Sequence, residues 1–341
     1  MHGGRGLNPL ELSIGGLKVR VDISPMEGGL GQAVADVFSP FLRHGMEEPQ
    51  ETLHVLPART RQKGGRLPDL ESLIKESVRT PLSRFPFASN EEKEMRHLLK
   101  RTVPFLHEDQ FRSFLSHSKG HQEVTLLPFA RGILCRRGDE TRSSLFLKTW
   151  SRKNTKVASI YGSVYFVSAV GLPSIEGLLM HGVGIVEQGS GLLFLGLPGD
   201  GKSTLARLSR PREVISDDGI IVIRRSGAYE LISTPFNQLG NDVLTRDDRR
   251  VPLVMGVFLR KDERVHIERV PPLEACPIIL RNHIHFFRYF PASVAERAFL
   301  LVADLCRDIP FYRLHFRKDP CFWPLLERVL EENSRNRGGC T

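Results

Sequence analysis

One short stretch limits what this chain can fold into more than any other. Gly196-Leu-Pro-Gly-Asp-Gly-Lys202-Ser203 satisfies the pattern G-x-x-x-x-G-K-[ST]. An apolar run, Gly-Leu-Leu-Phe-Leu-Gly-Leu, leads into it, and Ser-Thr-Leu-Ala-Arg-Leu leads out. Apolar strand, glycine-rich loop and helix in that order make a phosphate-binding loop. Glycine amides turned inward surround phosphate oxygens, and the positive end of the helix adds to the field. Gly196, Pro198, Gly199, Asp200, Gly201, Lys202, Ser203 and Thr204 are the expected nucleotide contacts. Lys202 would reach the β/γ-phosphates of ATP and Ser203 would place its hydroxyl on Mg²⁺. Asp200 fits less well, because a carboxylate in such a nest repels phosphate unless it points away or meets the metal.

A phosphate loop does not by itself separate a motor, a GTPase and a kinase. Asp217-Asp218 narrows the choice: it stands 15 and 16 residues past Lys202, at the end of a β run. Adjacent carboxylates at a strand end can divide the work, one holding Mg²⁺ and the other accepting the proton of an attacking hydroxyl. Which does which stays open, and a simple turn or cap is the structural alternative.

At 341 residues the chain exceeds most single cores, so two domains are expected. The boundaries expected are 1–150 for an N-terminal α+β region with a basic helical insert, 151–330 for the nucleotide domain and 331–341 for a flexible tail. In the first region, Leu17–Ile23 and Glu51–Leu56 alternate apolar and polar residues, as half-buried strands do. A Gly- and Arg-rich linker follows from Arg59 to Arg66. Ser89-Asn90 ahead of Glu91 reads as a helix start, and Pro104 as its end. Val124–Trp150 returns to strands, and Ile160–Val170 reads as a buried helix. After the loop, Gly219–Arg225 should pair with Tyr229–Ser233 across Ser226-Gly-Ala.

The net charge of +9 is unevenly placed. Arg59–Arg101 holds eleven Lys/Arg against six Asp/Glu, and Arg131–Lys156 holds eight against two. Such a basic face can draw in nucleotide or an acidic protein partner. No aromatic stacking motif is interleaved with these charges, so nucleic acid is not expected. The N-terminus lacks the basic and apolar regions of a signal peptide, and no apolar run reaches membrane-span length, so a cytoplasmic protein without a membrane partner is expected. Five scattered cysteines form no C-x-x-C pair, which points to reduced thiols.

The elements together resemble a known family. His181-Gly-Val lies 21 residues ahead of Lys202, and a strand, a Gly turn, the loop and Ile-Ser-Asp-Asp follow. That order is similar to the catalytic domain of HPr kinase/phosphorylase, whose fold is related to phosphoenolpyruvate carboxykinase. The similarity extends over about Leu178–Glu327, through Ser233-Thr-Pro-Phe236, Val251–Arg260, Ile267–Ala275 and Ile309–Leu314. The resemblance implies an α/β fold with a P-loop nucleotide-binding domain of that type and a smaller N-terminal α+β region. It implies that His181 lies near the transferred phosphate or metal, and that Lys202 and Ser203 hold ATP and Mg²⁺. Asp217 and Asp218 would supply the base and a metal contact, with Asp218 grouped with Ser203 at the metal. A closed homo-oligomer is a further implication. The family's Glu-[Ile/Leu]-Arg-Gly signature is absent; Gln238-Leu-Gly-Asn-Asp242 stands there, with Asp242 a candidate substitute.

Two further groups read differently. His283-Ile-His285 falls in Ala275–Phe290, an expected helix in which residues two apart do not share a face, so both are expected to be structural. Arg313 and Arg317 could meet phosphate or simply flank a strand. The resulting expectation is an ATP- and Mg²⁺-dependent kinase acting on a hydroxyl, serine of a protein or peptide above all. Alternatives are a nucleotide-binding scaffold without turnover and a small-molecule kinase.

Overall fold

A computed structural model describes residues 9–23, 29–45, 48–58, 124–129, 132–137, 140–148, 152–237 and 249–338. The basic linker, the helix expected after Ser89 and the candidate Asp242 lie outside the described residues. The chain divides into two compact units, Met1–Gly171 with Arg288–Val294, and Leu172–Phe287 with Ala295–Thr341.

The first unit is built on a mixed sheet ordered β3-β1-β2-β4-β7-β6-β5. Its strands are β1 (Leu10–Ile14), β2 (Leu17–Asp22), β3 (Leu42–Arg43), β4 (Glu51–Ala58), β5 (Val124–Phe129), β6 (Gly132–Arg137) and β7 (Arg142–Lys148). Alternation in β2 puts Leu17, Val19 and Val21 in the core while Lys18, Arg20 and Asp22 stay half-buried. The parallel β2–β4 and β4–β7 pairs bring residues far apart in sequence side by side. Helix α1 (Leu30–Val37) and the long helix α2 (Lys153–Gly171) complete this unit.

Helix α2 moves the expected boundary at 150/151 to 171/172. Its faces carry little amphipathic contrast because Ser159, Ser163 and Ser168 are buried among Ile160, Val164, Phe166 and Val167. The Ser159 and Ser163 hydroxyls donate to the carbonyls four residues back, at 3.0 and 2.8 Å, which removes the cost of burying them. Contrary to the sequence expectation, the segment Lys153–Ile175 is long and apolar enough to cross a membrane. Yet 72% of its most apolar window is buried, and the helix packs on β2, β4 and β7.

A buried ion pair ties this sheet together. Arg136 on β6 donates to both carboxylate oxygens of Glu51 on β4, at 2.6 and 3.0 Å, with each side chain under 5% exposed. Burial raises the Glu51 pKa despite the lowering influence of Arg136. Removing one partner leaves the other desolvated, so Arg136→Met is expected to destabilise this unit by about 3–5 kcal/mol. Urea unfolding would measure it, and a loss under about 1 kcal/mol would contradict the role given to the pair.

The second unit has a sheet ordered β11-β9-β10-β14-β13-β12-β8, with β16 pairing to β14 and β15 to β16. These strands are β8 (Gly177–His181), β9 (Val183–Glu187), β10 (Ser190–Leu195), β11 (Glu213–Ser216), β12 (Gly219–Arg225), β13 (Ala228–Ile232), β14 (Arg250–Lys261), β15 (His266–Val270) and β16 (Phe311–Phe316). Helix α3 (Lys202–Leu208) follows β10, and α4 (Pro272–Asn282), α5 (Ala292–Asp308) and α6 (Trp323–Gly338) come later. The expected β12–β13 hairpin is present, with Arg225 opposite Ala228. Ser226 and Gly227 both have positive φ, 49° and 81°, as a two-residue turn matched to strand twist requires.

A buried cluster including Phe194, Leu205, Met255, Leu314, Phe316, Phe322 and Trp323 packs β10, β14 and β16 with α3 and α6. The expected flexible tail at 331–341 is instead helical through Gly338. Val329 and Leu330 pack against that cluster, the Tyr312 hydroxyl donates to Asn333 Oδ1 at 2.9 Å, and Arg335 pairs with Glu331 at i,i+4.

Candidate functional site

Three parallel strands fix the location of the site. β10, β14 and β16 run in the same direction, with Leu195 beside Phe258 and Lys261 beside Phe316. Their carboxyl ends therefore lie at one edge, where α/β sheets bind ligands. A cleft of about 790 Å³ opens there, large enough for a nucleotide. Its lining includes Pro198, Gly199, Gly201, Lys202, Ser203 and Thr204 from the loop, together with His181, Asp217 and Asp218.

The loop's shape follows from its glycines. Gly199 and Gly201 have φ of 93° and 98°, values that side chains disfavour. A Cβ on Gly201 would also stand 3.1 Å from the Phe316 ring. Asp200 turns back into the loop, where its Oδ2 accepts the Leu197 amide at 2.6 Å, and its own amide donates to Leu197 O at 3.0 Å. Its carboxylate is thereby used in holding the turn. The Lys202 ammonium donates to Gly196 O at 2.7 Å and reaches Leu197 O at 3.4 Å. Burial lowers the Lys202 pKa, while Asp218 and Asp200 raise it. Leu205 and Ala206, fully buried, anchor α3 beneath the loop.

Strand register explains why His181 meets Asp218. β8 pairs with β12, whereas β9 pairs with β10 and β11, so the chain changes neighbours at Gly182. β11 and β12 change neighbours at the same level, through Asp217-Asp218. Gly219 is opposite His181, and the Gly182 amide donates to Asp218 O at 3.1 Å. Across this junction His181 Nδ1 and Asp218 Oδ1 lie 3.0 Å apart, with the side chains 24% and 15% exposed. Asp217 is more buried, at 4%. Asn237 supports it: the Asn237 Oδ1 accepts the Asp217 amide at 3.1 Å, and its Nδ2 donates to Thr234 O at 2.6 Å. Thr234 Oγ1 in turn donates to Gly219 O, and Phe236 O accepts the Gly219 amide.

His285 corrects the sequence reading. The helix that was to hold it ends at Asn282, and the next residues turn beside β8, with Ile284 bridged to Met180. The His181 amide donates to His283 O at 2.8 Å and the His285 amide to Leu179 O at 3.1 Å. The His285 ring thus sits edge-on to His181, 5.1 Å between centroids. His181, Asp218 and His285 present ligand atoms all within 4.8 Å of one another. His283 is structural as expected: it is 2% exposed, its ring is tilted against Phe258, and its Nδ1 has no hydrogen-bond partner among the described residues.

Burial pushes the pKa of both His283 and His285 down to about 4; the charge of His181 adds to this at His285, whereas at His283 a backbone hydrogen bond with His181 works against it. Unfolded imidazoles take up protons near pH 6.5, so between pH 6.5 and 4 the unfolded chain holds more protons than the folded one. Stability therefore falls on acidification through that window, on the order of 1–3 kcal/mol. Denaturant midpoints compared at pH 7 and pH 5 should show the drop, and His283→Gln should shrink it. An unchanged midpoint would contradict neutral burial.

The other basic candidates separate cleanly. Arg313 is held by Glu268 and Glu274, so it braces β15 and α4. Arg317 lines the cleft, with its guanidinium on Asp319. Lys261, Asp262, Glu263 and Lys318 also line it and were not singled out from sequence. Their signal was position at the carboxyl ends of β14 and β16, legible only once the strand order is known.

The fold and the site define a mixed α/β protein with a charged cleft at the carboxyl ends of parallel strands. The chain belongs to the ScmC family, described as SynChlorMet cassette protein ScmC, whose profile matches residues 147–331. A sequence comparison with curated proteins gives no match. Among solved structures, the HPr(Ser) kinase/phosphatase from Coxiella burnetii is similar over 47% of this chain and 92% of its own. That similarity is at 15% identity and a TM-score of 0.27.

Proposed function

We propose that the chain is an ATP- and Mg²⁺-dependent kinase with a P-loop nucleotide domain of the HPr kinase type, transferring the γ-phosphoryl group to a hydroxyl of a protein or peptide. The observation that carries the proposal is the placement of Lys202 and Ser203 in one cleft with the His181–Asp218 pair and Asp217. The cleft lining holds four fixed cations, Lys202, Lys261, Arg317 and Lys318, and four carboxylates, Asp217, Asp218, Asp262 and Glu263. A bare polyphosphate gains no net attraction from that balance, whereas a nucleotide carrying a divalent ion is favoured.

In this reading the loop amides and Lys202 hold the phosphates, Lys202 exchanging the Gly196 and Leu197 carbonyls for phosphate oxygens. Ser203 and Asp218 fit a metal: Asp218 is held at 3.0 Å by His181 and belongs to the three-donor group with His285. Bound Mg²⁺ would neutralise charge developing on the phosphates. Asp217, fixed by the Asn237 amide, orients the acceptor hydroxyl and takes its proton. The new P–O bond forms as the bond to the leaving ADP oxygen breaks. Positioning and charge neutralisation then supply the rate.

A second reading, nucleotide binding without turnover, draws on Asp200, which engages one loop amide that phosphate would otherwise use. One experiment separates them. The full chain with γ-labelled ATP, Mg²⁺ and a host lysate should transfer label to a polypeptide, and Asp217→Asn should not. Label retained wholly on bound ATP would favour the second reading, label on a metabolite a small-molecule kinase, and no nucleotide binding would overturn both.

A further inference from the structure

A second group of ligand-type side chains gathers where β14, β15 and β16 meet: Asp262, His266 and His315 present donor atoms within 4.8 Å of one another. We propose that these three residues form a binding site for a borderline divalent transition-metal ion, Zn²⁺ being the type case.

The backbone supporting the three is regular. β15 pairs antiparallel with β16, and His266 stands directly opposite His315. β14 pairs parallel with β16, and just past its end the Asp262 amide donates to Phe316 O at 3.0 Å. The ligands thus come from three segments whose spacing is set by strand ladders.

The side chains are oriented as metal ligands usually are. Asp262 Oδ1 accepts the Arg264 amide at 3.1 Å, which turns Oδ2 to His315 Nδ1 at 2.9 Å. His266 Nδ1 lies 3.2 Å from Arg264 O. A backbone carbonyl there keeps the proton on Nδ1 and leaves Nε2 with its lone pair free for a metal. The two imidazoles stack at 3.9 Å and 18°. His315 Nε2 also lies 3.8 Å from Glu268 Oε1, a carboxylate shared with Arg313. The His315 side chain is 12% exposed and that of Asp262 36%, so an anchored ligand stands beside an open approach.

Two imidazoles and one carboxylate suit Zn²⁺, Ni²⁺ or Cu²⁺, whereas Mg²⁺ prefers oxygen donors throughout. Donors on one Zn²⁺ sit roughly 3.3 Å apart, given bonds of about 2.0–2.1 Å, so binding opens the 2.9 Å approach of Asp262 to His315 slightly and splays the stacked rings. Asp262 also lines the cleft, so an ion held here would fix one part of that wall.

The test uses tag-free full chain carrying His285→Gln, which removes a donor from the other histidine group, after dialysis against a chelator. Titration calorimetry with Zn²⁺ should give one equivalent, undiminished by a large excess of Mg²⁺, and the His266 and His315 ring proton signals should shift. Adding His266→Gln or His315→Gln should weaken binding by about tenfold or more. Circular dichroism and melting temperature confirm that each variant folds; should His315→Gln fail to fold, the exposed His266 carries the comparison. No Zn²⁺ binding by the parent, or equal binding in the folded variants, would overturn the proposal and leave a proton-bridged Asp262–His315 pair only.

Discussion

Lys202→Met is expected to lower phosphoryl transfer by about 10²–10³-fold while the protein stays folded. The Lys202 side chain is 9% exposed, so methionine can follow the same buried path and keep most of its packing. What it loses is the ammonium, with its hydrogen bonds to Gly196 O and Leu197 O. Losing them costs about 1 kcal/mol of stability, because net hydrogen-bond contributions are of that size. The activity effect is larger because burial already disfavours the cation on its own carbonyls, as its lowered pKa records, and a phosphate anion relieves that penalty. Label transfer from γ-labelled ATP, read with melting temperature by calorimetry, checks both parts. Full transfer by a folded Lys202→Met variant would remove the kinase proposal.

Parts of this site were legible in the sequence because their geometry is local. A strand, a glycine-rich loop and a helix are encoded within the nineteen residues Ser190–Leu208, and Asp217-Asp218 follows at the end of the next strand. The same holds for the β12–β13 hairpin, where Ser226-Gly227 announces the turn. His181 stood out only through its resemblance to a family pattern; nothing in its neighbours says that β8 ends opposite Gly219. The helix expected through His285 was drawn too long for a related reason. Pro277 lies inside α4 without ending it, and the helix stops at Asn282 with neither glycine nor proline following. Phe286, with φ of 60°, marks a turn that an apolar residue does not advertise. Lys261, Asp262 and Lys318 depend on β14 and β16 lying parallel beside β10, pairings that span more than fifty residues. The unit boundary was displaced because α2 is buried on many sides and lacks the one-sided pattern that marks a surface helix.

The sharpest test of the chemistry is Asp218→Asn, expected to reduce transfer by about 10²–10³-fold and to change which divalent ion supports what remains. The substitution preserves shape, and the backbone anchors at Gly182 and Gly219 do not involve the carboxylate, so the strand junction should survive. It removes the charge that faces His181 Nδ1 at 3.0 Å and the one anionic donor in the His181–Asp218–His285 group. An amide oxygen is a weak ligand for a hard cation, whereas imidazole holds softer ions well. Residual activity in Asp218→Asn should therefore shift from Mg²⁺ toward Mn²⁺, and His285→Gln, which removes a nitrogen donor and leaves the carboxylate, should shift preference the other way. Asp217→Asn provides the contrast, since a residue that orients the acceptor lowers kcat without altering ion preference. Ion-dependence curves for the three variants would distinguish these roles. If Asp217→Asn changed the metal requirement and Asp218→Asn did not, the assignment of metal and base would be reversed.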